Sequence, residues 1–189
     1  DFRMMNSAKE GTRRSDGPIH PRIGCVEVLE AMKDHPHYKA PLDASNRARG
    51  VAVGYWFNAG LESSANISVN DDGTVSLVEG STDIGGSRTS LAMQAAEVLG
   101  IPVEDVHPSV GDTDSIGYTA VTGGSRTTFA TGMATYRAAE DVKQQLVERA
   151  ALIWDVSPES IEMSKGVIKA KTDSELKMSF QELAGELND

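Results

Sequence analysis

The sequence predicts an α+β fold: a mostly antiparallel sheet with β-hairpins, covered by two or three helices, the longest running roughly over residues 128–154. Three observations point there. Asp72-Gly73 and Lys165-Gly166 each stand between short runs of strand character, and glycine takes positive φ there at little cost. Apolar residues recur at helical spacing after Ser90 and again after Thr127. Hairpins and helices follow one another along the chain, an order that suits an antiparallel sheet with helices laid over it.

Residues 1–11 (DFRMMNSAKEG) read as the end of a helix, with Gly11 as its stop. The chain starts at Asp1 and not at Met, which predicts a piece of a larger protein. Residues 12–24 are rich in Gly, Pro and charge and read as a connector. Cys25, Val28, Leu29 and Met32 fall at helical spacing, and a loop then runs to Gly50. Residues 1–49 are thus expected to be an N-terminal helix and linking arm, and 50–189 the α+β domain.

In that domain, 51–58 (VAVGYWFN) is a mostly apolar strand candidate. Residues 65–70 alternate, with Ile67 and Val69 on one face, and 74–80 return after the turn. Leu91, Ala95, Val98 and Leu99 make a helical stripe closed by Gly100. A short strand is expected within 103–111 and a loop over 112–122. The longest helix is expected to bury Phe129, Met133, Tyr136, Val142, Leu146, Ala150 and Ile153. A second hairpin surrounds Lys165-Gly166, and Ser179 and Glu182 have capping-box spacing at the start of a last helix.

The net charge of -10 argues against non-specific nucleic-acid binding. No apolar run is long enough to span a bilayer. One cysteine, Cys25, cannot form an internal disulfide, so a cytoplasmic location is expected and the sequon at Asn66 is a chance match.

Gly-Gly-Ser-Arg-Thr occurs twice, at 85–89 and 123–127, each time before a helical run. The first N–H groups of a helix lack partners and its dipole favours negative charge there. Paired glycines let the backbone approach a ligand, the hydroxyls add donors, and arginine adds a planar fork. Together they can cradle an anion. The same residues can equally be tight turns with capped helices and surface arginines, in which case the chain is a non-enzymatic α+β binding or assembly module. No lysine follows the glycines and no Gly-x-Gly-x-x-Gly is present, which disfavours a Walker loop or a dinucleotide fingerprint.

Other residues carry less. His20, His35, His37 and His107 lack zinc-site spacing. Asp112 and Asp114 suit acid–base work less well than Asx turns. Ser87 and Ser125 have no histidine in a nucleophile–base relation, and Cys25 suits a structural thiol better than a reactive one.

The runs VEGSTDIGGSRTSLAMQAAEVLGI and VGDTDSIGYTAVTGGSRTTFATGMATYRAAEDV, with the opening DFRMMNSAKEG, resemble the molybdopterin-binding large subunit of the xanthine dehydrogenase/aldehyde oxidase family. The resemblance implies that Gly85, Gly86, Ser87 and Arg88 form one cofactor wall near the metal, and Gly124, Ser125, Arg126 and Thr127 another along the pterin and phosphate. The cofactor implied is molybdopterin or molybdopterin cytosine dinucleotide, its molybdenum held by the dithiolene and not by these residues. The activity implied is hydroxylation of aldehydes or aromatic heterocycles with water as the oxygen source. The 2Fe–2S and FAD groups would lie in partner domains or subunits, since one cysteine cannot hold a cluster. Two departures stand out. Gly-Gln-Gly, common in the family, is replaced by Gly85-Gly86-Ser87, and no segment here matches the one that carries the family's glutamate base. The piece alone is therefore expected to be inactive. A cofactor wall predicts Arg88 and Arg126 pointing into a shared groove, and helix-capping turns predict both arginines diverging into solvent; the discriminating observation is whether the two Gly-Gly turns approach each other on one face or lie on opposite faces.

Overall fold

The computed structural model of the protein describes residues 1–56 and 58–187. The chain divides into two compact units, Asp1–Tyr55 and Trp56–Asp189.

The first unit holds three short helices, α1 (Phe2–Met5), α2 (Cys25–Asp34) and α3 (Pro36–Lys39). α2 is the helix its apolar spacing predicts, yet Leu29 is the unit's single buried residue among those described. α1 stops well before Gly11; that glycine instead takes φ +82° in a turn where its amide donates to the His20 carbonyl at 3.0 Å. α3 interrupts the expected loop because Pro36 opens it, where a missing N–H costs nothing. The strand expected over 51–58 does not form in the residues described, and Phe57 lies outside them. An apolar run becomes a strand only where a neighbour offers main-chain partners; here the partner of Ala59 is the loop carbonyl of Gly124, at 3.0 Å.

In the second unit, β1 (Ala65–Val69) and β2 (Val75–Glu79) form the Asp72-Gly73 hairpin, with Ile67 opposite Leu77. α4 (Ser87–Leu99) follows, closed by Gly100 at φ +74°, and leads into β3 (Val106–Val110). β3 pairs with β2 in parallel, Leu77 opposite Pro108, so the first sheet is mixed, while the other strand pairs are antiparallel as expected. A parallel pair needs a crossover, and α4 supplies it. The strand–helix–strand order over 75–110 is its signal in the sequence. The consequence is positional. β2 and β3 finish at the same end of the sheet, so residues 80–86 and 111–126, which carry the two motifs, leave it side by side.

A π-turn (Thr127–Thr131) opens the long helix α5 (Gly132–Trp154). The core joins Val75 and Leu77 of β2 to Leu91, Ala95 and Leu99 of α4 and to Ala139, Leu146 and Ala150 of α5. The stripe expected on α5 is half right. Leu146 and Ala150 are buried and Val142 is partly so, but Phe129, Met133, Tyr136 and Ile153 are exposed. The buried positions of the first turns are small: Thr127, Ala130, Thr131, Gly132, Thr135 and Ala139. α4 and α5 approach too closely for large side chains: a Cβ on Gly132 would overlap the Gln94 carboxamide.

β4 (Ile161–Ser164), β5 (Val167–Ala170) and β6 (Lys177–Ser179) make an antiparallel second sheet. Its first turn has Lys165 and Gly166 both left-handed, as a two-residue hairpin requires. α6 (Phe180–Gly185) starts with the predicted capping box: Ser179 Oγ accepts from the Glu182 amide at 3.2 Å, and Glu182 Oε2 accepts from the Ser179 amide at 2.7 Å. No helix among the described residues is long and apolar enough to cross a membrane.

Candidate functional site

The two motif loops touch. Thr82 and Thr122 bring their hydroxyl oxygens to 3.1 Å, Thr82 shortly before the first Gly-Gly-Ser-Arg-Thr and Thr122 directly before the second. Deeper in, Ser64 donates its amide to Thr119 Oγ1 at 3.1 Å and its hydroxyl to the Gly117 carbonyl at 2.5 Å. Gly80 packs so tightly on Thr119 that a Cβ there would overlap the threonine hydroxyl.

The two copies of the motif do not fold alike. In the first, Gly85 (φ +60°) and Gly86 (φ +80°) are left-handed and Ser87 starts the helix. In the second, Gly124 (φ +69°) and Ser125 (φ +54°) are left-handed, one residue later in the motif. The segment Asn58–Ser64 sets this shift. A Cβ on Gly124 would lie 2.5 Å from that of Ala59, and Asn58 Nδ2 donates to the Ser125 carbonyl at 2.7 Å.

The shift separates the arginines, which do not enter a shared groove. Arg126 is 1% exposed, and all five of its N–H donors are occupied. Nε donates to the Gly60 carbonyl (2.6 Å), Nη1 to the carbonyls of Ala120 (2.9 Å) and Val121 (3.5 Å), and Nη2 to that of Glu62 (2.6 Å) and to Ser63 Oγ. No carboxylate among the described residues is within ion-pair distance of it. Its hydrogens are spent on the scaffold, but its charge is not neutralised, and it lies under the Gly124–Ser125 turn. Arg88 is at the surface, its Nε 2.9 Å from Asp83 Oδ2.

Asp83 also accepts from the Arg88 amide at 3.2 Å, and these bonds hold its carboxyl below the usual carboxylate range. The start of α4 therefore already has an anion on it. Ser87 is buried, accepting from the Ile84 amide at 3.0 Å, and is no free nucleophile. No side chain caps the π-turn that begins α5. At Gly85, Gly86 and Gly123 a Cβ would meet nothing within 4 Å, so both loops border open space. The first loop thus suits a neutral polar group and the second an anion.

Glu79 is a functional candidate that no motif in the sequence marks. It is 0% exposed, the last inward residue of β2 after Val75 and Leu77, a place the alternation itself marks. Its Oε2 accepts from the Ser81 amide at 2.7 Å, and Oε1 has no partner among the described residues. Burial pushes the carboxyl up, with Asp83 adding to the rise, against the Ser81 amide and Arg88.

The weaker candidates resolve into turns. His35 Nδ1 accepts from the His37 amide at 3.2 Å, and no group of three metal-binding side chains occurs among the described residues. Asp112 Oδ1 accepts from the amides of Asp114 (2.9 Å) and Ser115 (2.8 Å), an Asx turn and not a carboxylate pair. Cys25 is a free, half-buried thiol at the start of α2.

A sequence profile of the molybdopterin cofactor-binding domain matches residues 28–188. The large subunit of nicotine 6-hydroxylase from Paenarthrobacter nicotinovorans is 28% identical over 89% of this chain and 23% of its own length. The xanthine dehydrogenase molybdenum-binding subunit of Escherichia coli O157:H7 is 32% identical over 97% of this chain and 27% of its own. The solved structure of CO dehydrogenase from Oligotropha carboxidovorans matches with a TM-score of 0.61 and 30% identity, over 66% of this chain and 16% of that one. The chain spans about a quarter of the length of these curated relatives.

Proposed function

The chain belongs to the molybdopterin cofactor-binding domain family, and from that premise we propose that its two motif loops form adjoining walls of the cofactor site in a molybdenum hydroxylase. The observation that carries this reading is the 3.1 Å contact between Thr82 and Thr122, which brings both Gly-Gly segments to one end of the sheet. Separate helix-capping turns, as in a non-enzymatic binding module, would have no need to meet.

Gly85, Gly86 and Arg88 would face the cofactor from the first loop, with Ser87 holding that loop from inside. Gly124, Ser125 and Thr127 would face it from the second, with Arg126 supplying charge from beneath. When bound, molybdopterin or its cytosine dinucleotide would bring a redox-active molybdenum, held by the dithiolene, for hydroxylating an aldehyde or an aromatic heterocycle with water. The residues of this chain bind and orient; none is assigned as the base or as a metal ligand. The open glycine faces suit a planar pterin, and the uncompensated Arg126 suits a phosphate.

Iron–sulfur and flavin groups would sit in partner domains or subunits, and the rest of the same subunit would cover the exposed Phe129, Met133 and Tyr136. The single Cys25 supports a cytoplasmic placement, and the net charge of -10 weighs against a nucleic-acid partner.

The test is molybdenum content in the complete subunit, wild type against Gly123→Leu. Gly123 is outside the left-handed region and its Cβ direction is empty, so the variant should fold. Its side chain would occupy the open space between the loops. Metal lost with an unchanged melting curve supports the wall; full metal in the variant refutes it.

A further inference from the structure

Beneath the loops an unbroken run of polar groups crosses the interior. Arg126 Nη2 donates to Ser63 Oγ, Ser63 Oγ lies 3.1 Å from Thr131 Oγ1, and Thr131 Oγ1 lies 2.5 Å from Ser81 Oγ. The Ser81 amide then donates to Glu79 Oε2 at 2.7 Å. Arg126, Thr131, Ser81 and Glu79 are all buried. Ser63 accepts from the guanidinium and, with a second lone pair and a proton of its own, can either donate to Thr131 or accept from it; Thr131 and Ser81 exchange one proton between their oxygens in either sense. We propose that Thr131 is a positioning residue whose hydroxyl couples the Gly85–Gly86 loop to the Gly124–Ser125 loop, so that the two walls keep one fixed separation.

The ends of the run define what it joins. Ser81 begins the segment that leads to Gly85, and Arg126 directly follows Ser125. Thr131 is where the two halves meet, and the π-turn that begins α5 brings it inward together with Thr127 and Ala130. The rim contact between Thr82 and Thr122 joins the same loops, but Thr82 is exposed and water competes for its hydroxyl. The run beneath has Arg126, Thr131, Ser81 and Glu79 buried and Ser63 partly so, which leaves water less room to compete, and hydrogen bonds in sequence strengthen one another there. If Thr131 merely filled space, valine would serve as well, since it has the same shape without the hydroxyl.

Amide hydrogen exchange on the full chain separates these roles, comparing wild type with Thr131→Val and Thr131→Ser. Thr131→Val should speed exchange roughly tenfold at 81–87 and at 58–64 together, with β4 and β5 unchanged. Thr131→Ser, which restores the hydroxyl, should match wild type. No acceleration, or a uniform one across the chain, overturns the proposal. If Thr131→Val fails to fold, Ser81→Ala cuts the same run without altering α5, and it should likewise speed exchange at 58–64.

The functional consequence rests on the cofactor-wall reading and is measured separately, as molybdenum content of the complete subunit carrying Thr131→Val. Loosened loops with full metal would keep the coupling and refute the wall. Metal loss with wild-type exchange would refute the coupling and leave the wall standing.

Discussion

Arg88 and Arg126 are the same letter of one repeated five-residue motif, and they occupy opposite environments. Arg88 lies at the surface against Asp83, while Arg126 is buried with every donor committed to the protein. A one-residue shift in the left-handed pair, from Gly85–Gly86 to Gly124–Ser125, is enough to turn one side chain out and the other in.

The two arginines should therefore respond differently to lysine. An ammonium has three donors and no planar fork, so Arg126→Lys cannot serve the carbonyls of Gly60, Glu62, Ala120 and Val121 together with Ser63. It should cost about 3 kcal/mol of folding stability, read as a lower urea midpoint. Arg88→Lys should leave the midpoint where it is, because the pair with Asp83 is exposed to water. Equal responses would mean that the burial of Arg126 is not what holds Asn58–Ser64 to the second loop.

Glu79 gives a dependence on pH whose sign follows from its raised pKa. The folded state binds the proton more tightly than the unfolded one. Protonation therefore carries no penalty below the ordinary glutamate range, and stability falls as pH rises through the gap between the unfolded and folded values. Glu79→Gln keeps an acceptor for the Ser81 amide and cannot ionise. Its melting temperature should exceed that of wild type at about pH 8 and converge with it near pH 4. Parallel melting curves across that range would show that Glu79 is ionised at no cost.

Much of this fold is legible in the sequence because local chemistry decides it. Asp72-Gly73, Lys165-Gly166, Gly100 and the Ser179–Glu182 box are short-range signals, and each does what its residues imply. What is illegible depends on distant partners. The expected burial of Phe129, Met133 and Tyr136 follows side-chain size, whereas the approach of α4 selects Thr131, Thr135 and Ala139. The site divides in the same way. That two glycine-rich helix starts belong together is visible as a repeat. That Gly124 must lack a side chain because of Ala59, and that Arg126 is spoken for by the carbonyls of Gly60 and Glu62, requires a segment more than sixty residues away along the chain.

Thr131 and Thr135 stand one turn apart on the same face of the same helix, both 0% exposed. Only Thr131 has partners; the Thr135 hydroxyl has none among the described residues. A buried hydroxyl without a partner loses its hydration and gains nothing in return. Valine at 135 keeps the shape and removes that loss, so Thr135→Val should raise stability by about 1 kcal/mol. Valine at 131 should lower it, because Ser81 and Ser63 would each lose a partner in the interior. Urea midpoints of the two single variants check the pair. A drop for Thr135→Val would mean that its hydroxyl is hydrogen-bonded in solution.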